Sequence, residues 1–196
     1  MALTEVPPGE LATVVTTLER RTPPATAPLM PPGDHPLRLE HWPHPDPARY
    51  RALFARVGGP WLWYSRLALT DAELRAAIDR PQTQVHAVVD TGRRAVGLLE
   101  FTHPEPDWCA LDYFALLPEL VGQGHGRWLM TRALALMWQP GVRLVRVNTC
   151  TLDHPRALGF YQAHGFVAIA RTMETFPDPR RIGLLPRDIA PQVPLL

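Results

Sequence analysis

Three glycines at alternate positions, Gly122, Gly124 and Gly126, stand between a β-rich run and an amphipathic helical pattern, and this turn constrains the chain more than any other stretch. Glycine reaches backbone angles that crowd other residues and lets a ligand approach the main chain closely. Successive N–H groups of such a turn converge on one spot, and the helix that begins there adds the positive end of its dipole. The segment Leu116-Leu-Pro-Glu-Leu-Val-Gly-Gln-Gly-His-Gly-Arg127 therefore suits a phosphate or diphosphate, with a tight turn and no ligand as the plain alternative. It lacks the Gly-Lys-Ser/Thr ending of a P-loop, and its spacing is not the G-x-G-x-x-G of a dinucleotide fold.

The elements around the turn alternate in type. Leu11 to Leu18, rich in β-branched residues, reads as a strand, and Leu37 to Trp42 as a short one. Ala48 to Val57 has helical character and stops at Gly58-Gly59-Pro60, and Thr70-Asp71 caps a helix through Ile78. Val85 to Val89 and Arg94 to Phe101 form a hairpin around Asp90-Thr91-Gly92-Arg93. Cys109 to Leu116 is a strand, Gly126 to Trp138 a helix, and Arg143 to Thr149 a strand. A helix over Pro155 to His164 and a strand over Phe166 to Phe176 complete the series. The order β-α-α-β-β-β-α-β-α-β describes an α/β (α+β) layer architecture with a mixed sheet.

Proline sets the outer limits, because 11 of the 23 prolines fall within the first 47 residues. Each removes a backbone donor and fixes φ, which describes an extended leader. The reading divides the chain into a Pro-rich extension over 1–35 with one candidate strand, a domain over 36–176, and a Pro-rich tail over 177–196. The Leu11 to Leu18 strand is then an added edge strand or an oligomer arm, compatible with a homodimer, and dispensable for ligand binding. Net charge of +1 with no run of basic residues argues against nucleic acid as partner. No segment approaches 18 consecutive apolar residues, and no signal peptide is expected, so no membrane partner is inferred. Cys109 and Cys150 read as reduced thiols of a cytoplasmic protein.

A second motif is Asp153-His-Pro-Arg-Ala-Leu-Gly-Phe-Tyr-Gln-Ala-His-Gly-Phe166. Asp153 or His154 is placed to cap a helix that Gly165 ends. Ala157, Phe160, Tyr161 and His164 share one face. A short core helix with Tyr161 as a packing aromatic satisfies this pattern as well.

Together the two segments resemble the GNAT superfamily of N-acetyltransferases. Val121-Gly-Gln-Gly-His-Gly126 is similar to the family's Q/R-x-x-G-x-G/A turn, with Val121 where Gln or Arg is usual. The later segment is similar to N-x-x-A-x-x-L/F-Y-x-x-x-G-F, matched by Ala157, Phe160, Tyr161, Gly165 and Phe166, with His154 where Asn is common. The resemblance spans roughly Ala110 to Phe166; the first third of the chain carries no motif.

The resemblance implies a mostly antiparallel sheet flanked by helices, with splayed central strands that admit the pantetheine arm of acetyl-CoA. It implies acetyl-CoA as acyl donor and direct attack on it by an amine, here unidentified. Cofactor binding would fall to Phe114, Leu116, Val121, Gly122, Gln123, Gly124, His125, Gly126, Arg127 and His154. Backbone N–H groups near Leu116, aimed by a bulge, would hold the arm and the developing oxyanion. Tyr161 would protonate the departing thiolate. Asp112 is the expected general base, with Glu100 or water as rivals. A catalytically silent CoA-binding module and an enzyme using a longer acyl-CoA are the alternatives.

The remaining features are weaker. His41, His44 and Asp46 are interleaved with prolines and read as a surface loop, so no metal is expected. Trp61-Leu-Trp-Tyr64 reads equally as an acceptor wall or as core packing. Cys150 reads as a buried thiol, not a nucleophile.

Overall fold

The computed structural model describes residues 3–24 and 35–195; most of the expected Pro-rich linker lies outside the described residues. The chain runs β1 (Glu10–Arg20), β2 (Arg38–His41), α1 (Pro47–Gly58), α2 (Asp71–Ile78), β3 (Thr83–Val89), β4 (Ala95–Glu105), β5 (Trp108–Leu116), α3 (His125–Met137), β6 (Leu144–Cys150), α4 (Ala157–Ala163) and β7 (Val167–Pro177). The strands form one seven-stranded sheet in the order β2-β3-β4-β5-β6-β1-β7. Every pairing is antiparallel except that of β5 with β6, which the helical crossover α3 joins in parallel. The expected α/β class with a mixed, mostly antiparallel sheet flanked by helices is the one observed.

The helices follow from spacing and caps. In α1, Tyr50, Leu53, Phe54 and Val57 recur at helical spacing and are buried, behind an Asp46 cap that accepts from Arg49 N–H. In α2, Thr70 and Glu73 complete a reciprocal capping box. In α3, Met130, Ala133, Leu134 and Met137 make the buried stripe. One core joins these stripes to Val85, Leu98, Leu99 and Phe101 of the sheet. The last helix starts later than its sequence suggests: Arg156 is the N-cap of α4, with no side-chain cap bond. The Asp153 carboxylate instead folds back onto Thr149 and Cys150.

The placement of β1 corrects the expectation of an edge strand or oligomer arm. It lies inside the sheet, pairing with β6 from Val15↔Cys150 to Arg20↔Val145 and with β7 from Glu10↔Pro177 to Glu19↔Val167. Leu18 is fully buried there. Glu19 accepts from Arg146 of β6 at 2.5 Å and from Arg21 at 2.7 Å. The reason is an accounting of backbone donors: without β1, β6 and β7 would have no partner between them. The C-terminal segment is folded too. Asp178 and Arg180 form a buried ion pair at 2.7 Å, and the Arg180 guanidinium also donates to the carbonyls of Val193 and Pro194. That clamp presses Leu185 and Ala190 onto Leu62.

Candidate active site

The parallel pairing of β5 with β6 runs from Trp108↔Leu144 to Leu111↔Val147 and then stops. Beyond it, Phe114 to Leu116 stay paired with β4, while Asn148 to Cys150 stay paired with β1. Each strand end is held by its outer neighbour, so the two part and the sheet opens. The split begins at a β-bulge. Glu100 faces Tyr113 and Phe101 faces Leu111, leaving Asp112 as the extra residue.

Into the gap opens a cavity of about 440 Å³, lined among others by Asp112, Phe114, Leu116, Asn148 and Tyr161. At its mouth the glycine turn has the backbone that the sequence demands. Gly122 has φ of 86° and Gly124 φ of 84°, angles that L side chains rarely adopt. A Cβ placed on either glycine meets nothing within 4 Å, so both main-chain positions face open space at the cavity. Gly124 is also the N-cap of α3 and supplies no side-chain acceptor to the first-turn N–H groups. A 13-residue helix thus points uncapped donors, and the positive end of its dipole, at the mouth. This cradle fits a diphosphate.

The predicted cofactor residues divide by where their side chains go. Phe114, Leu116, Val121, Gly122, Gly124, Gly126, Arg127 and His154 line the cavity. Gln123 and His125 do not. The Gln123 amide donates to the Glu119 carbonyl at 2.7 Å, and His125 meets His35 at 3.2 Å beside Trp128. Those two side chains brace the turn. His154 Nδ1 accepts from Arg156 N–H at 3.1 Å, which leaves Nε2 to carry the proton of the neutral ring.

The candidate acid and base also line the cavity. Tyr161 is buried in α4 between Phe114, Phe160 and Phe166. Burial, with the nearby Asp153 charge, pushes its phenol well above the usual value. Asp112 accepts from Thr102 Oγ1 at 2.7 Å, and burial raises its pKa from 3.8 to about 6. The Glu100 charge adds to that rise, whereas the Thr102 bond and Arg66 oppose it. Although the Asp112 side chain is open to the cavity, the walls around it are protein, which explains the desolvation.

Glu100 has a different occupation. It is fully buried, accepts from the Tyr50 hydroxyl and from Arg66 at 2.5 Å, and is not part of the cavity wall. Both oxygens being taken by donors on α1 and the following loop, it ties those elements to β4. Trp61 and Trp63 reach the cavity, while Leu62 is buried against Leu185 and Ala190, Trp63 also packs on the main core and Tyr64 stacks on Phe176, so the segment is at once cavity wall and packing. Asp153 is the functional candidate that sequence reasoning treated only as a cap. Its Oδ1 accepts from the Trp63 indole at 3.0 Å, and its Oδ2 from Thr149 Oγ1 at 2.7 Å and Cys150 N–H at 2.9 Å. Thr149 and Cys150 are close in sequence, but no local signal marks the Trp63 contact, since that donor lies 90 residues away. Cys150 does not line the cavity.

The sheet parted at its parallel pair thus carries a glycine cradle at the mouth of one cavity, with a phenol and a carboxylate on its walls. The sequence profile of the acetyltransferase (GNAT) family matches residues 38–166, and the chain belongs to that family. A conserved protein of unknown function from Staphylococcus epidermidis superposes with a TM-score of 0.62 at 13% identity, covering 87% of this chain and 63% of the other. A GCN5-related N-acetyltransferase from Sphaerobacter thermophilus gives 0.58 at 14% identity, covering 84% and 51%. An acetyltransferase from Thermus thermophilus gives 0.54 at 20% identity, covering 73% and 97%. At such identities the likeness shows the fold alone, and the chain spans only half to two thirds of the first two structures. No curated protein sequence matches the chain significantly.

Proposed function

We propose that the protein transfers an acetyl group from acetyl-CoA to a primary amine by direct attack. One observation carries the reading: the uncapped glycine turn of α3 and the opened β5/β6 pair share one cavity with Tyr161 and Asp112. The turn holds the diphosphate and the gap takes the pantetheine arm as if it were a strand. Main-chain N–H groups of β5 that have left β6 supply donors to the arm and to the carbonyl oxygen as charge develops there.

Asp112, with a pKa of about 6, is ionised at neutral pH and opens to the cavity, where it can accept the proton of the acceptor ammonium in an uphill step that attack on the thioester draws forward. The freed amine attacks the thioester carbonyl, the C–N bond forms, and the C–S bond breaks with its electron pair on sulfur. Tyr161 gives that sulfur its proton, and the second proton shed by the nitrogen as the amide forms returns through water to the phenoxide. Tyr161 stays protonated at every working pH, so it is always a donor to that sulfur. A thiolate in the same apolar surroundings is also made more basic by desolvation, which favours the transfer. Water is the remaining rival to Asp112; Glu100 is engaged elsewhere. The test is a panel of primary amines with acetyl-CoA, following CoA thiol release. Release with at least one amine is expected, and acetyl-CoA binding without release for any amine would establish the silent module instead.

A further inference from the structure

The part of the cavity formed by the segment between α1 and α2 is built of indoles. Trp61 and Trp63 both line it. Trp63 is fixed on three sides: its N–H donates to Asp153, and its ring lies 5.3 Å from Tyr113 and 5.7 Å from Phe54. Trp61 lies edge-on to His154 with ring centres 5.2 Å apart. Trp63 is thus a rigid apolar wall, held by its own hydrogen bond and by neighbouring rings, and Trp61 adds a second indole against His154.

The charges beside them are negative. The Asp112 carboxylate opens to the cavity at the bulge, and Asp153 lies behind Trp63 with its oxygens already accepting. Arg66 reaches towards the same wall, 5.2 Å from the Tyr113 ring, but its charge is committed to Glu100. The arginines that do line the cavity, Arg127 and Arg156, come from the first turn of α3 and the N-cap of α4.

We infer that the acceptor is an arylalkylamine: a primary ammonium on an apolar, ring-bearing body without a carboxylate near the nitrogen. This rests on the acetyl-transfer reading above. The ring stacks between or against the indoles, and the ammonium is drawn by their π-faces and by Asp112. A carboxylate beside the amine would meet the Asp112 charge. A polyhydroxylated amine would bury hydroxyls against indole carbon without partners, and sites discriminate strongly against such unpaired groups.

The test compares 2-phenylethylamine with phenylalanine, glucosamine and spermidine. Binding to the CoA-loaded protein is read by calorimetry, and kcat/KM with acetyl-CoA by thiol release. The chain contains no lysine, so none of its own side-chain ε-amines competes as acceptor. We expect 2-phenylethylamine to exceed each of the others by about tenfold or more in both measures. Trp61→Ala should remove about tenfold of that preference, with CoA affinity within twofold of the parent as the control for folding. Trp61→Phe, which keeps an aromatic wall, should restore most of it. If a polar amine binds or reacts best, if Trp61→Ala weakens all four alike, or if no amine binds, the arylalkylamine assignment is overturned. Selective binding of 2-phenylethylamine with no thiol release would keep it and remove the acetyl-transfer reading; thiol release favouring glucosamine or spermidine would do the reverse.

Discussion

The indole N–H of Trp63 donates to Oδ1 of Asp153 at 3.0 Å, between residues 90 apart in the chain. The same carboxylate accepts from Thr149 and Cys150 at the end of β6. One side chain thus fastens the Trp63 wall of the cavity to the strand that bounds the opened gap. Asp153→Asn presents an amide N–H₂ to a site where three donors need acceptors, so one bond becomes a donor–donor contact. The expected cost is about 1–3 kcal/mol of stability by urea unfolding, with a KM for the amine that rises more than that for acetyl-CoA. Unchanged stability and an unchanged amine KM would mean that the wall is held by ring packing alone.

Gly124→Val acts on the cradle. A valine resists φ of 84°, and its methyl groups fill the open space at the mouth. Because no other atom lies within 4 Å of that position, the fold should survive. Acetyl-CoA should raise the melting temperature of the parent by linkage and leave the variant unshifted. A variant that keeps the full shift would remove the diphosphate from this turn.

Tyr161→Phe keeps the ring among Phe114, Phe160 and Phe166 and deletes the hydroxyl. Acetyl-CoA affinity should stay within a few-fold while kcat falls by roughly 10–10³ in single turnover. A parental single-turnover rate would reduce Tyr161 to a packing residue.

Asp112 gives a pH signature with a defined sign. Its carboxyl titrates near 6 in the folded protein and near 3.8 when unfolded. Between those values the native state holds the extra proton, so this group's contribution to stability is present below about pH 4 and lost as pH rises through 6. Asp112→Asn should therefore raise the melting temperature at pH 7 relative to the parent. It should also abolish the limb of kcat/KM that rises near pH 6, leaving only the higher limb set by the amine's own deprotonation. A variant with the limb intact would hand the base role to water.

Leu18→Ala tests the place of β1. Leu18 is fully buried between β6 and β7, so the truncation should cost about 2–5 kcal/mol. Deleting residues 1–20 should abolish acetyl-CoA binding by leaving β7 without a partner and β6 with β5 alone. A folded deletion protein that still binds acetyl-CoA would return β1 to the role of a dispensable arm.

Much of this architecture is legible locally. Thr70 and Glu73 spell the capping box of α2, and Gly122 and Gly124 spell positive φ, because caps and turns are settled within a few residues. The Tyr50, Leu53, Phe54, Val57 stripe likewise shows which face of α1 goes inward. The bulge that frees Asp112 is harder, since it exists only in the register of β5 against β4. A carboxylate on a strand gives no sign of whether its partner is skipped.

By itself the sequence determined the elements, the glycine cradle and the acetyltransferase resemblance, all of which rest on interactions that span less than a few turns of chain. Only the tertiary structure decided that β1 lies inside the sheet, that Glu100 is locked by Tyr50 and Arg66 while Asp112 faces the cavity, and that Asp153 holds Trp63. The physical reason is common to all three. Strand order and buried polar pairing are fixed by which distant segments compete for the same donors, and no short window of residues contains both sides of that competition.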